Sequence, residues 1–445
     1  VVANFQRVSI INLIGTLFFC LFLPFLYLFT AFICKIVLSF RKHIPMNTYI
    51  IDGIRTPIGN FGGTLAPVRT DDLGALVIKE LISRNSRIVT DEIADVIMGC
   101  ANQAGEDNRN VARMSSLLAG LPWKVPGETV NRLCASGMSA VVHGQRAINN
   151  LDGDLFITGG VENMTRGPWV MSKASTAFGR DSKMYDSSFG WRFVNAKMKE
   201  LYGTEGMGDT AENLAEMYSI SREDQDQFAY RSHMKAYESK INGILGEEII
   251  SVTIPRRKQD DLIFSADEFI KPNTTTERLG KLRAAFKTNG SVTAGNSSGL
   301  NDGAAAILLA SERGVEKYGL EPMARVISSG VAGVEPRIMG IGPVYASEIA
   351  LKKVGLTLDD MDVIELNEAF AAQSLACTRK MGLADDDPRI NPNGGAIAIG
   401  HPLGVSGTRI ILAAAKELQR SNGRYALCTM CIGVGQGYAV IIERV

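Results

Sequence analysis

Net charge and a paired cysteine framework are lacking in this chain and histidine is scarce, and the first two lacks each remove a class of function. Lys plus Arg number 47, as do Asp plus Glu. A chain with that balance gives no electrostatic reason to expect nucleic acid or an anionic membrane surface as partner. The cysteines, Cys20, Cys34, Cys100, Cys134, Cys377, Cys428 and Cys431, are odd in number and irregular in spacing. That argues against a disulfide scaffold and for a reducing, cytoplasmic location. Cys428-x-x-Cys431 has no second ligand pair for a zinc site. It also stands beside the last strand, where a thioredoxin-like pair would not. No G-K-[ST] occurs, which excludes a P-loop. Gly433-x-Gly435-x-Gly437 leaves no room for a following helix, so it is not a dinucleotide loop.

What remains is a chain of 445 residues, 46% hydrophobic, long enough for two or three domains or one large layered one. Glycine clusters in its last third, which suggests backbone packed against a ligand or tight strand-to-helix turns. The first 45 residues differ from the rest. Val8 to Cys34 carries no charge and is long enough to span a bilayer. Arg7 precedes it, and Lys35, Arg41 and Lys42 follow, so the positive-inside rule would leave the remainder in the cytoplasm. The first methionine is Met46, and a strand-like Tyr49-Ile50-Ile51 comes directly after it. Residues 1–45 are therefore read as upstream sequence ahead of a start at Met46, with a signal anchor as the alternative. A membrane is a partner only under that alternative.

From Thr48 onward, strands and helices alternate, the pattern of an α/β sheet covered on both faces. Thr48–Asp52 reads as a strand. Asp71 or Asp72 caps a helix with Leu73, Leu76, Val77 and Leu81 on one face. Ile93–Met98 is a strand ended by Gly99, Val111–Leu118 a helix, and Leu155–Thr158 a strand closed by Gly159-Gly160. From Arg166 to Ser291 the chain becomes more polar, and reads as an insertion covering the site. Inside it, Ser221 and Asp224 open a helix through a capping box, with Tyr230, His233, Met234, Tyr237 and Ile241 on one face. Alternation resumes after Asn301. Val363–Leu366 reads as a strand, Glu368–Met381 as a helix, and Gly394 through Gly407 as a glycine-rich strand and turn. A helix from Thr408 to Asn422 and closing strands at Ala426–Thr429 and Ala439–Ile442 complete the pattern.

One stretch organises the rest: Asn131-Arg132-Leu133-Cys134-Ala135-Ser136-Gly137. An apolar strand enters it. A helix leaves it behind Ser136, a good N-cap, with Met138, Val141 and Val142 on one face. At a helix N-terminus a thiolate is stabilised and its pKa lowered. Cys134 is thus either a nucleophile or a small buried core cysteine. Of the histidines, His43 lies in the leader, and His143 and His233 fall in helical patterns. Only His401 sits in a glycine-rich turn, as a substrate-facing imidazole or as a polar turn residue. Cys134 and His401 each carry a glycine three residues on (Gly137, Gly404), a weak echo of duplication.

The motifs Asn131–Gly137, Gly159–Met164, Asn367–Phe370, Gly400–Pro402 and Cys431–Gly435, in this order and at these separations, resemble those of the thiolase family across residues 46 to 445. The resemblance implies acyltransferases that cleave or form 3-oxoacyl-CoA thioesters. It also implies a five-layered α/β/α/β/α fold of two similar halves, 46–164 plus 301–322 and 323–445, with a loop domain inserted at 165–300. By similarity Cys134 is the acylated nucleophile and Cys431 the general acid/base. His401 and Asn367, the latter through a water, bind the thioester oxygen, and the amides of Cys134 and Gly433 form a second oxyanion hole. Ser298 and Ala294 would lie along the pantetheine and Met207 beside the acyl group, with Ala369 and Phe370 also lining the substrate. Arg257, or its neighbours Arg256 and Lys258, would meet the nucleotide end of CoA. Coenzyme A is the co-substrate, no metal or redox cofactor is implied, and a homodimer or homotetramer is expected.

Ser187–Asn195 is most similar to thiolases acting on 3-oxoadipyl-CoA in aromatic-acid and phenylacetate breakdown. Such a substrate calls for a cation near its tail, for which Arg192 or a neighbouring Lys is a candidate, an ordinary surface cation being the other reading. The alternative is a general acetyl-CoA acetyltransferase or 3-ketoacyl-CoA thiolase. A ketoacyl synthase would pair its cysteine with two histidines, and only one glycine-turn histidine exists. A non-catalytic lipid-binding or membrane-anchored relative would not need Cys134, His401 and Cys431 together.

Overall fold

The computed structural model describes residues 46–445; the apolar leader, with His43, Cys20 and Cys34, lies outside the described residues. The first half contributes β1 (Thr48–Arg55), β2 (Asp95–Gly99), β3 (Gly127–Val130), β4 (Leu155–Asn163) and β5 (Asn301–Ser311). They lie in the order β3-β2-β4-β5-β1. The first three are parallel, and β5 runs antiparallel to both β4 and β1. The second half contributes β6 (Ala324–Gly333), β7 (Val363–Leu366), β8 (Tyr425–Ile432) and β9 (Gln436–Arg444). Their order is β7-β8-β9-β6, with β7 parallel to β8 and the other pairs antiparallel. Ile390 makes a parallel bridge to Ile364 of β7, at the place β3 holds in the first half. The two halves thus repeat one topology. They join edge to edge through Tyr49–Arg325 and Ile50–Ala324.

Every residue of β4 and β5 is buried, as expected of strands covered on both faces. Leu155, Ile157 and Val161 share a core with Leu73, Val77 and Leu81 of α1 (Thr70–Arg84). α2 (Val111–Leu118) packs beside α1. Phe156 and Thr158 point the other way, toward Gly144 of α3 (Ser136–Asn149). In the covering segment lie α4 (Met207–Met217) and α5 (Arg222–Ile241). α6 (Gly342–Val354) covers β6, β8 and β9, with α7 (Ala371–Lys380) beside it. α8 (Leu403–Ser421) packs against α3, and against strands of both halves. The pair α3 and α8 is therefore the middle layer between two sheet halves, and α1 with α2 and α6 with α7 are the outer ones. That is the α/β/α/β/α stacking.

Several local expectations change. β4 does not stop at Gly159-Gly160 but runs through them. A Cβ on Gly159 would stand 2.2 Å from the Ala305 carbonyl oxygen, and one on Gly160 1.9 Å from that of Gly404. These glycines mark close backbone approach, not a turn. Asp71 and Asp72 sit inside the first turn of α1, where they face the positive dipole end, and Arg69 holds the cap position without a side-chain bond. α7 begins at Ala371, because Asn367–Phe370 is held as a loop. Gly394–Gly407 forms no strand; a short helix, Ala396–Ile399, precedes α8, which starts at Leu403. The capping box of α5 is present, with Ser221 Oγ accepting from the Asp224 N–H at 3.0 Å. Its buried face is rotated, however, to Phe228, Ala229, Ser232, His233 and Ala236, leaving Tyr237 and Ile241 exposed. Polar residues at Gln225, Asp226 and Ser232 find partners inside, so the apolar pattern misplaced the face.

The covering segment is pinned to the sheet by a buried ion cluster. Arg55, at the end of β1, donates two parallel bonds to Asp267 (2.6 and 2.9 Å) and one to Glu248 at 2.7 Å. All three are buried, and the two carboxylates hold the guanidinium well above its usual range. Replacing the cation strands two buried negative charges. We expect Arg55→Met to lower unfolding stability by about 3–5 kcal/mol, read from urea transitions followed by tryptophan fluorescence. A change within about 1 kcal/mol would overturn the pinning role.

Candidate active site

The site is set by the crossing of α3 and α8 at their N-termini. A Cβ on Gly137 would lie 2.5 Å from the Gly404 carbonyl oxygen and 2.5 Å from Thr408 Oγ1, and one on Gly407 would lie 2.4 Å from the Met138 nitrogen. No larger residue fits, so the two helix starts touch backbone to backbone. Cys134 and His401 each stand three residues before the glycine of that crossing, and each two residues before its helix. The three-residue echo in the sequence thus has a physical cause: equivalent turns of the two halves meet at the sheet centre.

Cys134 sits in a tight turn. Leu133 adopts a left-handed φ of 48°. Its N–H donates to Asn131 Oδ1 at 2.9 Å, and its carbonyl accepts from Ser136 Oγ at 2.7 Å. Ser136 Oγ also accepts the Arg132 N–H at 2.9 Å. The serine therefore braces the turn and is not the N-cap; Ala135 holds that position. Arg132 lies over the Tyr438 ring and reaches Gln436 Oε1 at 3.1 Å, tying the turn to β9.

The hairpin between β8 and β9, Gly433-Val434-Gly435, comes against this turn. A Cβ on Gly433 would stand 3.4 Å from Leu133 Cδ1 and 3.5 Å from Met207 Sδ. Val434 is held at φ 65°, unusual for a β-branched residue. The backbone N–H groups of Gly433 and of Cys134 itself act electrostatically on the Cys134 sulfur. Burial pushes the thiol up to about 11, and those N–H groups offset it only in part. A helix N-terminus is worth at most about 2 kcal/mol, while desolvation, here of a half-buried side chain, acts in the opposite direction. The expected lowered pKa is thus corrected: Cys134 rests as a thiol.

His401 is buried behind it. Gly400, at φ 113°, brings the His401 N–H to Asn301 Oδ1 at 2.9 Å; a side chain on Gly400 would strike Asn301. His401 Nδ1 lies 2.6 Å from Ser406 Oγ, which donates its own proton to the Pro402 carbonyl. Nδ1 is therefore assigned the imidazole proton, leaving Nε2 as an acceptor. Asn367 Nδ2 is 3.4 Å from Nε2, and Asn367 Oδ1 has no hydrogen-bond partner among the described residues. Burial, helped by the nearby Arg409 charge, pushes His401 down to about 4, so the ring is neutral. Cys431, on β8, is buried, and its thiol is pushed well up by desolvation first, with its coupling to the neighbouring Cys134 and Cys377 thiols adding to it. Cys428, three residues earlier on the strand, faces the other way, its sulfur toward the Ile410 carbonyl. The C-x-x-C therefore cannot chelate. All five described cysteines are free.

A pocket of about 480 Å³ opens over Cys134, with Gly433, Val434, Leu133, Met207 and Leu403 beside the sulfur. Phe189, Trp191, Arg192 and Phe193 of the covering segment form its wall. Of the sequence-derived candidates, Cys134, Gly433 and Met207 line this pocket. His401, Asn367 and Cys431 are buried outside its lining. Ala369 and Phe370 are buried in the Asn367 loop, which Ser298 holds through two bonds of 3.0 Å to the Ala369 carbonyl. Ala294 is exposed on the segment leading to Ser298. Arg257 is exposed on the loop between Val252–Ile254 and Leu262–Phe264, away from the pocket.

Sequence reasoning gave no role to Ser406 or Glu162. Glu162 Oε atoms accept the N–H groups of Ala101, Asn102 and Gly404 at 2.9, 3.1 and 2.8 Å, so it anchors the start of α8 to the first half. Its place inside the Gly159–Met164 motif was the available signal. For Ser406, one polar residue in the first turn of a helix, there was none.

The sequence matches the family model described as "Thiolase, N-terminal domain" over residues 48–313, and "Thiolase, C-terminal domain" over 320–444. It is 58% identical over 397 residues to a 3-oxoadipyl-CoA/3-oxo-5,6-dehydrosuberyl-CoA thiolase of Escherichia coli (strain K12), covering 89% of this chain and 99% of the relative. To a beta-ketoadipyl-CoA thiolase of Acinetobacter baylyi it is 57% identical over 399 residues, 90% of this chain and 100% of that one. Human mitochondrial 3-ketoacyl-CoA thiolase in complex with CoA superposes with a TM-score of 0.83 at 39% identity, covering 90% of this chain and 99% of that chain.

Two outcomes follow from the geometry. Iodoacetamide labelling of Cys134 in substrate-free protein should rise about tenfold per pH unit between pH 7 and pH 9; a plateau near pH 8 would contradict a protonated resting thiol. Gly137→Ala should separate the helix starts and lower kcat roughly a hundredfold, with the urea midpoint showing that the protein remains folded. Unchanged kcat would mean the crossing does not set the site.

Proposed function

The chain belongs to the thiolase family, and we propose on that premise that it cleaves 3-oxoadipyl-CoA with CoA into succinyl-CoA and acetyl-CoA. The thiolase relatives at 57–58% identity carry names that specify this substrate. The observation that carries the chemistry is the pair of backbone N–H groups, from Cys134 and Gly433, that converge on the Cys134 sulfur beside the pocket.

A neutral imidazole with a free Nε2 is suited to take the Cys134 proton as the sulfur attacks the 3-keto carbon. The C2–C3 bond then breaks. The departing acetyl-CoA carbanion is held at its thioester oxygen by His401, now bearing a proton on Nε2, and by Asn367. Cys431, kept as a thiol by burial, supplies the proton to C2. The acyl oxygen on Cys134 faces the two amides, and one such donor is worth about 3–4 kcal/mol in the transition state. In the second half, the thiol proton of CoA passes to the Cys431 thiolate and its sulfur attacks acyl-Cys134. Cys134 leaves and recovers its proton from His401. Atoms and charge balance, and the enzyme returns unchanged.

Ser298, Ala294, Ala369 and Phe370 border the Asn367 loop, consistent with a CoA path there, and Arg257 would meet the nucleotide end. The outer edge of β3 is unpaired among the described residues, which supports pairing with a second copy in a homodimer or homotetramer. Among the described residues no helix is long and apolar enough to cross a membrane, and a cytoplasmic location belongs to the same proposal.

The test is CoA-dependent cleavage by protein begun at Met46. We expect 3-oxoadipyl-CoA to be preferred over acetoacetyl-CoA and 3-oxodecanoyl-CoA, and Cys134→Ser to lose roughly 10⁴-fold in kcat. A flat preference would overturn the substrate assignment. Acyl mass absent from the Cys134 peptide would overturn the mechanism.

A further inference from the structure

We propose that Arg192 is the specificity residue of this pocket, receiving the terminal carboxylate of a dicarboxylyl chain; the inference rests on the substrate reading above. Arg192 is half-buried and is the one Lys or Arg lining the pocket. Among the described residues no carboxylate lies within ion-pair distance of it. The acid that shares the pocket, Glu162, is engaged by the three backbone N–H groups of Ala101, Asn102 and Gly404. The bond found for Arg192 is a long one, Nη2 to Asn102 Oδ1 at 3.4 Å. Its guanidinium thus keeps most of its fork for an incoming anion.

The surroundings give that cation weight. Phe189, Trp191, Phe193, Leu133, Met164 and Met207 make the pocket walls mostly apolar. A carboxylate placed there without a charge partner would lose its hydration with little in return. Planar, bidentate bonding by a guanidinium offsets that loss. Asn102 orients the arginine from behind: its Oδ1 faces Arg192, and its Nδ2 donates to Ser187 Oγ at 3.4 Å. With that bond accepted, the Ser187 hydroxyl keeps its own proton to donate into the same pocket. A neutral chain of equal length would gain nothing from either group, and would leave the arginine without a charge partner.

The discriminating substrates are 3-oxoadipyl-CoA and 3-oxohexanoyl-CoA, which share a six-carbon chain and differ in its terminal carboxylate or methyl. The readout is the ratio of their kcat/KM values. In Arg192→Met we expect this ratio to fall by about 10- to 100-fold, mostly through KM for the dicarboxylate. Arg192→Lys should restore part of it, since charge returns without the fork. Arg192→Glu should lower the ratio further by repulsion. If the native enzyme prefers the dicarboxylate and the ratio in Arg192→Met stays within about twofold, Arg192 is not the receptor, while the substrate reading stands. An equal loss on both substrates with no recovery in Arg192→Lys would likewise overturn it. If the native enzyme shows no preference, the substrate reading fails first, and this inference with it.

Discussion

The close contact between the starts of α3 and α8 is the constraint on which the site depends. Gly99, Gly137, Gly160, Gly404 and Gly407 surround it, and a methyl on any of them would enter a neighbouring backbone or side chain at under 3 Å. Two rigid helices cannot absorb such a displacement locally. The contact also requires two similar halves, because each supplies one central helix and one turn ahead of it. Duplication is therefore the reason a cysteine from one half and a histidine from the other come to one place.

The second constraint is electrostatic. The groups at this centre are held neutral by burial: the Cys134 and Cys431 thiols are pushed up, and the His401 imidazole is pushed down. A resting thiolate–imidazolium pair would have the charge already in place before substrate arrived. In the proposed reaction charge develops beneath donors fixed in advance by the β8–β9 hairpin and by the Asn367 loop. Preorganised donors at a poorly solvated centre stabilise such charge without reorganising. The Ser406 hydroxyl, by accepting a hydrogen bond from Nδ1–H, leaves Nε2 of His401 as the acceptor.

The covering segment has a different relation to the core. Its residues form the outer wall of the pocket, and Arg55 anchors it through Asp267 and Glu248. In the proposed reading the reaction centre comes from the sheet halves and the wall for the acyl tail from the covering segment, so chemistry and chain selection would be carried by separate parts of the chain.

Much of this was legible without coordinates. The strand–turn–helix around Cys134, the alternation that gives a covered sheet, the capping box of α5 and the glycine setting of His401 are local patterns, and local patterns are written in neighbouring residues. The family resemblance joined them into one site. What the sequence alone could not supply came from long-range packing. The glycines at 159 and 160 look like a strand end until the Gly404 carbonyl is seen against them. The rotated face of α5 depends on partners more than 60 residues away, such as Ser291 and Asn296. The pKa of Cys134 reversed direction because burial is a property of the assembled core, larger than the helix-end effect that the sequence displays. Arg192 was named from the sequence as a candidate cation; the fold set it, without an acidic partner among the described residues, in the same pocket as Cys134.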